Sequence, residues 1–270
     1  MSASLQLTGL CLSHGAKPIV NEASLSLAGG EIVAIVGCSG AGKTQLSRAI
    51  AGLCRLNPGV TQGSLSISLG EEVYEPYTGW AELSAHARLA RFQPIQGRLI
   101  SFLPQHPQSA LNPMWTVGQQ VQRVAALNND EAVTALSALT QAGFGSAQEV
   151  MGLYPHQLSG GMAQRVCIAQ ALARGSRFLI VDEPTTGLDS TLKRPLLQQF
   201  KALAKQGMGL LFITHDLRLL EGFCDRVLVM DSGSICESLS PEDVAAGVAQ
   251  SEPAKRLLSA MQKMALGGQL

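Results

Sequence analysis

Residues 37–44 read Gly-Cys-Ser-Gly-Ala-Gly-Lys-Thr, residue types whose combined chemistry is the grip on a polyphosphate chain. Gly37, Gly40 and Gly42 let the backbone turn sharply and aim its N–H groups at phosphate oxygens, with Cys38, Ser39 and Ala41 completing the cradle. Lys43 offers a point charge to the β- and γ-phosphates, and Thr44 a hydroxyl to Mg²⁺. A second pair, Asp182 and Glu183, ends the apolar run at 178–181. On their own, two acids after an apolar run are more often a helix start than a metal site. Coupled to a phosphate loop they form the other half of a nucleoside-triphosphate site, in which Asp182 holds Mg²⁺ directly or through water. Glu183 then faces the terminal phosphate, where a carboxylate can take a proton from an attacking water, so it is the candidate general base. Ser159-Gly160-Gly161 supplies a third cluster, just ahead of the helical run 166–173. Its hydroxyl and free backbone N–H groups, with about half a positive charge from the helix dipole, suit an anion.

Such a loop needs a strand leading in and a helix leading out. The run Ile32-Val33-Ala34-Ile35-Val36 is short, apolar and largely β-branched, as a buried parallel strand should be, and residues 45–53 carry helix formers at apolar spacing. Apolar runs at 5–10 and 24–27, set off by Ala28-Gly29-Gly30, predict further strands before the loop. Residues 57–80, rich in Gly, Pro, Ser and Glu, predict an edge strand over 64–68 and a peripheral surface excursion. A strand is expected at 99–103, then helices at 116–127 and 130–142, with helical patterns predominating until about 172. Buried-strand runs return at 178–181, 210–214 and 226–230. A hairpin-like segment after Gly233, a helix start at Ser240-Pro241-Glu242-Asp243 and an amphipathic helix over 253–265 complete the pattern.

The chain of 270 residues, 46% hydrophobic, is long enough for one large α/β domain or two small ones. Twenty Lys+Arg balance twenty Asp+Glu, so no basic field favours nucleic acid, and no nucleic-acid partner is expected. The cysteines at 11, 38, 54, 167, 224 and 236 include no CxxC pair, which suits reduced thiols better than disulfides or zinc. His86, His106 and His156 are too dispersed to read as metal ligands. No signal peptide and no run of about 18 apolar residues is found, so a membrane role would need other chains as the anchor.

The segment Leu158-Ser159-Gly160-Gly161-Met162 is similar to the LSGGQ signature of the ABC-transporter ATPase family, with Met162 where Gln is usual. Together with the phosphate loop and the Asp-Glu pair in this order, it marks a resemblance that runs to about residue 245. The resemblance implies an α/β fold: a P-loop NTPase core (3–104 and 173–246), an antiparallel β subdomain and an inserted α-helical subdomain (105–172), in a nucleotide-binding domain over 3–246 with a helical tail at 247–270. It maps Gln105 onto the Q-loop, which senses the γ-phosphate through Mg²⁺, Gly187-Leu188-Asp189 onto the D-loop, and His215 onto the switch histidine. Counting back from Gly30 puts His14 where the family stacks adenine on an aromatic ring. The implied cofactors are ATP and Mg²⁺, and each ATP would be sandwiched between the phosphate loop of one subunit and Ser159 of another. Within the family, Gln105-His106-Pro107-Gln108-Ser109-Ala110-Leu111-Asn112-Pro113, Tyr154-Pro155-His156-Gln157 and Asn57-Pro58-Gly59-Val60-Thr61-Gln62-Gly63 resemble the subgroup that energises uptake of di- and oligopeptides and of nickel. Peptide members typically continue into a C-terminal cysteine cluster, and Cys236 is the last cysteine here, which tilts the expectation toward nickel or a metal chelate. The implied partners are a second ATPase subunit, as a hetero-pair with a homodimer as the alternative, two transmembrane permease subunits and, indirectly, a solute-binding protein. The implied location is the cytoplasmic face of the inner or plasma membrane. A non-transport ABC ATPase is the rival class.

Overall fold

The computed structural model describes residues 2–128, 132–186, 190–220 and 222–267. The N-terminal strands β1 (Ala3–His14) and β2 (Lys17–Ala28) pair antiparallel, and alternate residues of β1 (Leu5, Leu7, Leu10, Leu12) are buried. Next come β3 (Ile32–Val36), the phosphate loop and α1 (Lys43–Ile50). β4 (Pro58–Leu69), β5 (Glu72–Tyr74) and α2 (Ala85–Phe92) lead to β6 (Ile100–Leu103). Four helices follow: α3 (Val117–Ala125), α4 (Ala135–Gln141), α5 (Ala147–Met151) and α6 (Gly160–Arg174). β7 (Phe178–Asp182), α7 (Ser190–Lys205), β8 (Gly209–Ile213), β9 (Arg226–Asp231), β10 (Ser234–Leu239), α8 (Pro241–Ala246) and α9 (Glu252–Gly267) complete the chain.

Two sheets result. The first is antiparallel with strand order β2-β1-β4-β5, and the second has order β10-β9-β3-β8-β7-β6. In the second sheet only β10 runs antiparallel, against β9. Because side chains alternate across a strand, this sheet feeds two cores. Val33, Ile35, Phe178 and Ile180 face the leucines of β1, β2 and β4 and Leu46 and Ile50 of α1. Ala34, Val36, Leu179 and Val181 face the helices, including Val121, Leu139, Val166 and Phe200. Strands buried on both sides read as unbroken apolar runs, which is why β3, β7, β8 and β9 stand where the sequence predicts them to within one residue at either end. This is a P-loop NTPase core with added β and helical layers, the fold the sequence predicts. Among the described residues no helix is long and apolar enough to cross a membrane.

Several expectations need correction. The expected edge strand at 64–68 lies in the second half of twelve-residue β4, which is placed between β1 and β5, with Leu65 and Ile67 buried. The excursion after it is largely exposed, as expected, but is anchored at Pro76 and Tyr77. Tyr77 is 4% exposed, donates from its hydroxyl to the Ala49 carbonyl at 2.5 Å, and meets Trp80 and Phe92 edge-on. Interleaved serines and glycines disguised the length of this strand and its place inside the sheet. The first helix starts at Lys43 rather than residue 45, because the loop's last turn already bonds in helical register: Leu46 N donates to the Gly42 carbonyl at 2.9 Å. α2, which is capped by Ser84, was not anticipated. α4 begins at Ala135, where Thr134 and Ser137 form a capping box, rather than at 130, and residues 129–131 fall outside the described set.

Candidate functional site

The phosphate loop is built by what surrounds it. β3 delivers the chain to Gly37, where a Cβ would lie 2.0 Å from the Met230 carbonyl oxygen, so no side chain fits. Gly42, at φ +99°, is equally closed: a Cβ would lie 2.8 Å from the Ile19 carbonyl oxygen. The loop is therefore wedged between β9 and the β1–β2 hairpin. Beside it opens a cleft of about 560 Å³ lined by Ser39, Gly40, Gly42, Lys43, Thr44, Gln45, Ile19, Glu183 and His215.

Lys43 is 7% exposed, and its Nζ donates to the loop's own carbonyls, to Gly37 at 2.8 Å and Cys38 at 2.9 Å. Burial lowers its pKa, an effect that the Glu183 and Asp182 carboxylates oppose. Thr44 Oγ1 donates to Asp182 Oδ1 at 3.2 Å, bringing together a hydroxyl and a carboxylate from the two ends of the expected Mg²⁺ site. These hard oxygen donors fit that ion. Burial pushes the Asp182 carboxyl above its usual range, the Thr44 hydroxyl pulls it down, and the Glu183 carboxylate pushes it up again. A buried acid with one hydroxyl partner is the side chain a cation would relieve.

Glu183 follows directly on β7 and carries φ +48°, a left-handed conformation that is uncommon for a residue with a side chain. Its carboxylate gathers three groups. Gln105 Nε2 donates to Oε2 at 3.3 Å, Thr186 Oγ1 donates to Oε2 at 3.1 Å, and His215 Nδ1 stands 3.3 Å from Oε1. His215 is 63% exposed at its side chain and Glu183 22%, so the pair faces the open cleft rather than the core. Gln105 and His215, distant in sequence, thus converge on the predicted base.

Other predicted residues lie elsewhere. Ser159 caps α6, its Oγ accepting from Met162 N at 3.2 Å, and neither it nor Gly160 nor Gly161 lines the cleft. Among the described residues, apart from the adjacent residues and the helix's own backbone, no heavy atom lies within 4 Å of a Cβ built on Gly160 or Gly161, so that helix end is open. His14 is exposed near the turn of the β1–β2 hairpin and is not a lining residue; Ile19 of the same hairpin is. Gly187, Leu188 and Asp189 lie outside the described residues. Ile19, Gln45 and Thr186 escaped the sequence reading. Thr186 carried a faint signal, a hydroxyl three residues past the acid, while Ile19 carried none.

Comparison with known proteins agrees with this geometry. Residues 20–186 match the family model described as ABC transporter. The chain is 37% identical over 231 residues to the oligopeptide transport ATP-binding protein OppD of Lactococcus lactis subsp. cremoris, covering 83% of this chain and 65% of that protein. It is 39% identical over 233 residues to the glutathione import ATP-binding protein GsiA of Escherichia coli O1:K1 / APEC, covering 83% of this chain but 36% of the relative. It therefore spans less than two thirds of the length of either. Among solved structures, the dimeric ATP-binding cassette MJ0796 bound to ADP and Pi superposes with a TM-score of 0.69 at 24% identity, over 88% of this chain and 98% of that one. CbiO1 from Clostridium perfringens, part of the complex cbiONQ, gives 0.72 at 22% identity over 98% of each chain, and both share the fold. With more than half of its length fitting the family's own model, the chain belongs to the ABC transporter family.

Proposed function

We infer that the chain is the ATP-hydrolysing subunit of a membrane ABC importer, and the observation that carries this is the convergence of Gln105 and His215 on Glu183 at the mouth of the phosphate-loop cleft. The loop N–H groups and Lys43 hold the triphosphate, and Thr44 and Asp182 hold its Mg²⁺. Glu183 takes the proton of the attacking water, while Gln105 and His215 orient it and sense the terminal phosphate. His14 stacks on the base at the rim. Ser159, Gly160 and Gly161 serve the nucleotide of a facing subunit, which their distance from this chain's own cleft supports. The working cassette spans 3–246, with the helical segment at 105–172 inserted in its core and the tail at 247–270 beyond it.

The expected nickel or metal-chelate solute gives way to the peptide alternative, because the relatives are an oligopeptide and a glutathione import protein. Two permease subunits, a second ATPase chain and a solute-binding protein complete the assembly, at the cytoplasmic face of the membrane. Glu183→Gln should keep ATP binding and lower turnover by at least about 100-fold. Steady-state phosphate release in the purified protein measures this, and normal turnover would refute the base. Uptake of labelled peptide against labelled Ni²⁺, in cells with and without the chain, separates the solutes. A failure to co-fractionate with membranes would favour a non-transport ABC ATPase.

A further inference from the structure

Gln164 is 2% exposed on α6, and its Nε2 donates to the Pro184 carbonyl at 3.3 Å. A buried amide is costly unless its polar atoms are bonded, and a leucine would fill the same volume without that demand. The hydrogen bond lands on the residue next to Glu183, whose φ of +48° belongs to a region that is strained outside glycine. Such a conformation persists only where neighbours over-determine it. Glu183 N donates to the Ile213 carbonyl at 3.0 Å and Thr186 N to the Glu183 carbonyl at 3.2 Å, so Gln164 supplies the hold from the helical side. The same helix opens at Ser159, five residues earlier, or about 7.5 Å along its axis. Between and beyond them Ala163 and Val166 are fully buried, so α6 is packed against the core along this stretch.

Resting on the reading above, in which Ser159 faces a neighbouring subunit's nucleotide and Glu183 its own, we propose that Gln164 is a positioning residue tying the two sites together. Engagement of α6 by the neighbour's triphosphate is passed through the Gln164–Pro184 hydrogen bond to the turn that aims the base. Each subunit then hydrolyses at full rate only when its signature helix is also occupied.

The test is a double-mutant cycle in the purified protein, in whatever assembly it isolates. Gln164→Met keeps the volume and removes the donor. It should lower kcat for ATP by roughly 10- to 100-fold, the loss that a misplacement of about 1 Å produces, with KM changed less than about 3-fold. Added to Glu183→Gln it should lower turnover no further, because it acts only through Glu183. Multiplying effects, an unchanged kcat, or a loss confined to KM would each overturn the proposal. Glu183→Gln alone tests the base, so normal turnover there sinks the underlying reading, whereas a slow Glu183→Gln with multiplying effects sinks only the coupling. Should Gln164→Met not fold, hydrogen exchange on the unaltered protein decides. Adding ATP with Mg²⁺ should protect residues 159–166 and 182–186 together, and protection of the first segment without the second would overturn the link.

Discussion

At the scale of the residue, two charges sit where water cannot easily reach them, and a bound nucleotide with its metal ion would repay that cost. Among the described residues the Lys43 ammonium has backbone carbonyls alone as hydrogen-bond partners. A buried charge that gains phosphate oxygens makes strong charge-assisted bonds, so Lys43→Ala should weaken ATP binding by about 2 kcal/mol, about 30-fold in Kd by titration calorimetry. Asp182 is pushed above the ordinary carboxylate range mainly by burial. The sign follows: a carboxyl raised in the folded state favours the protonated form, so stability falls as pH climbs from the ordinary range through the raised value. Asp182→Asn should accordingly melt higher than the parent at about pH 7 without nucleotide, with the gap closing toward about pH 4. It should also lose the extra thermal protection that Mg²⁺ adds to ATP. A lower melting temperature for Asp182→Asn at neutral pH would contradict the buried-charge account.

At the scale of the element, what the sequence disclosed follows from how each strand is buried. β3, β7, β8 and β9 are enclosed on both faces and announce themselves as apolar runs. β4 is enclosed on one face and interrupted by glycine and serine, so half of its pattern was invisible, as was the Tyr77–Trp80–Phe92 cluster that depends on it. The site was legible where chemistry is written in contiguous residues, as in residues 37–44 and Asp182-Glu183. Gln105 and His215 became legible only through the family's motif order, since nothing local tells a loop amide or a strand-end imidazole from an idle one. Ile19 was not legible at all, because the β1–β2 hairpin reaches the cleft only by tertiary packing. That hairpin also carries His14, so His14→Ala should weaken ATP more than tripolyphosphate, by about 1 kcal/mol in competition binding. Equal losses for both ligands would dismiss stacking by His14.

At the scale of the whole molecule, one chain holds a base at its cleft and a capped, open helix end that does not line that cleft. Glu183→Gln with ATP and Mg²⁺ should therefore accumulate a closed assembly of two ATPase chains, at twice the single-chain mass in light scattering if the partner is a copy of itself. Wild-type protein given ADP should not. A monomeric Glu183→Gln chain at saturating ATP, with its native partners present, would count against shared sites. The strand order has its own consequence. β3 is flanked by β8 and β9, from residues 209–213 and 226–231, and by nothing nearer in sequence. While the polypeptide is being made, the strand that carries the phosphate loop waits with both edges bare until those later residues leave the ribosome. Nucleotide binding therefore has to wait for residues 209–231, and a product released before them would present unpaired apolar edges to chaperones and to other nascent chains.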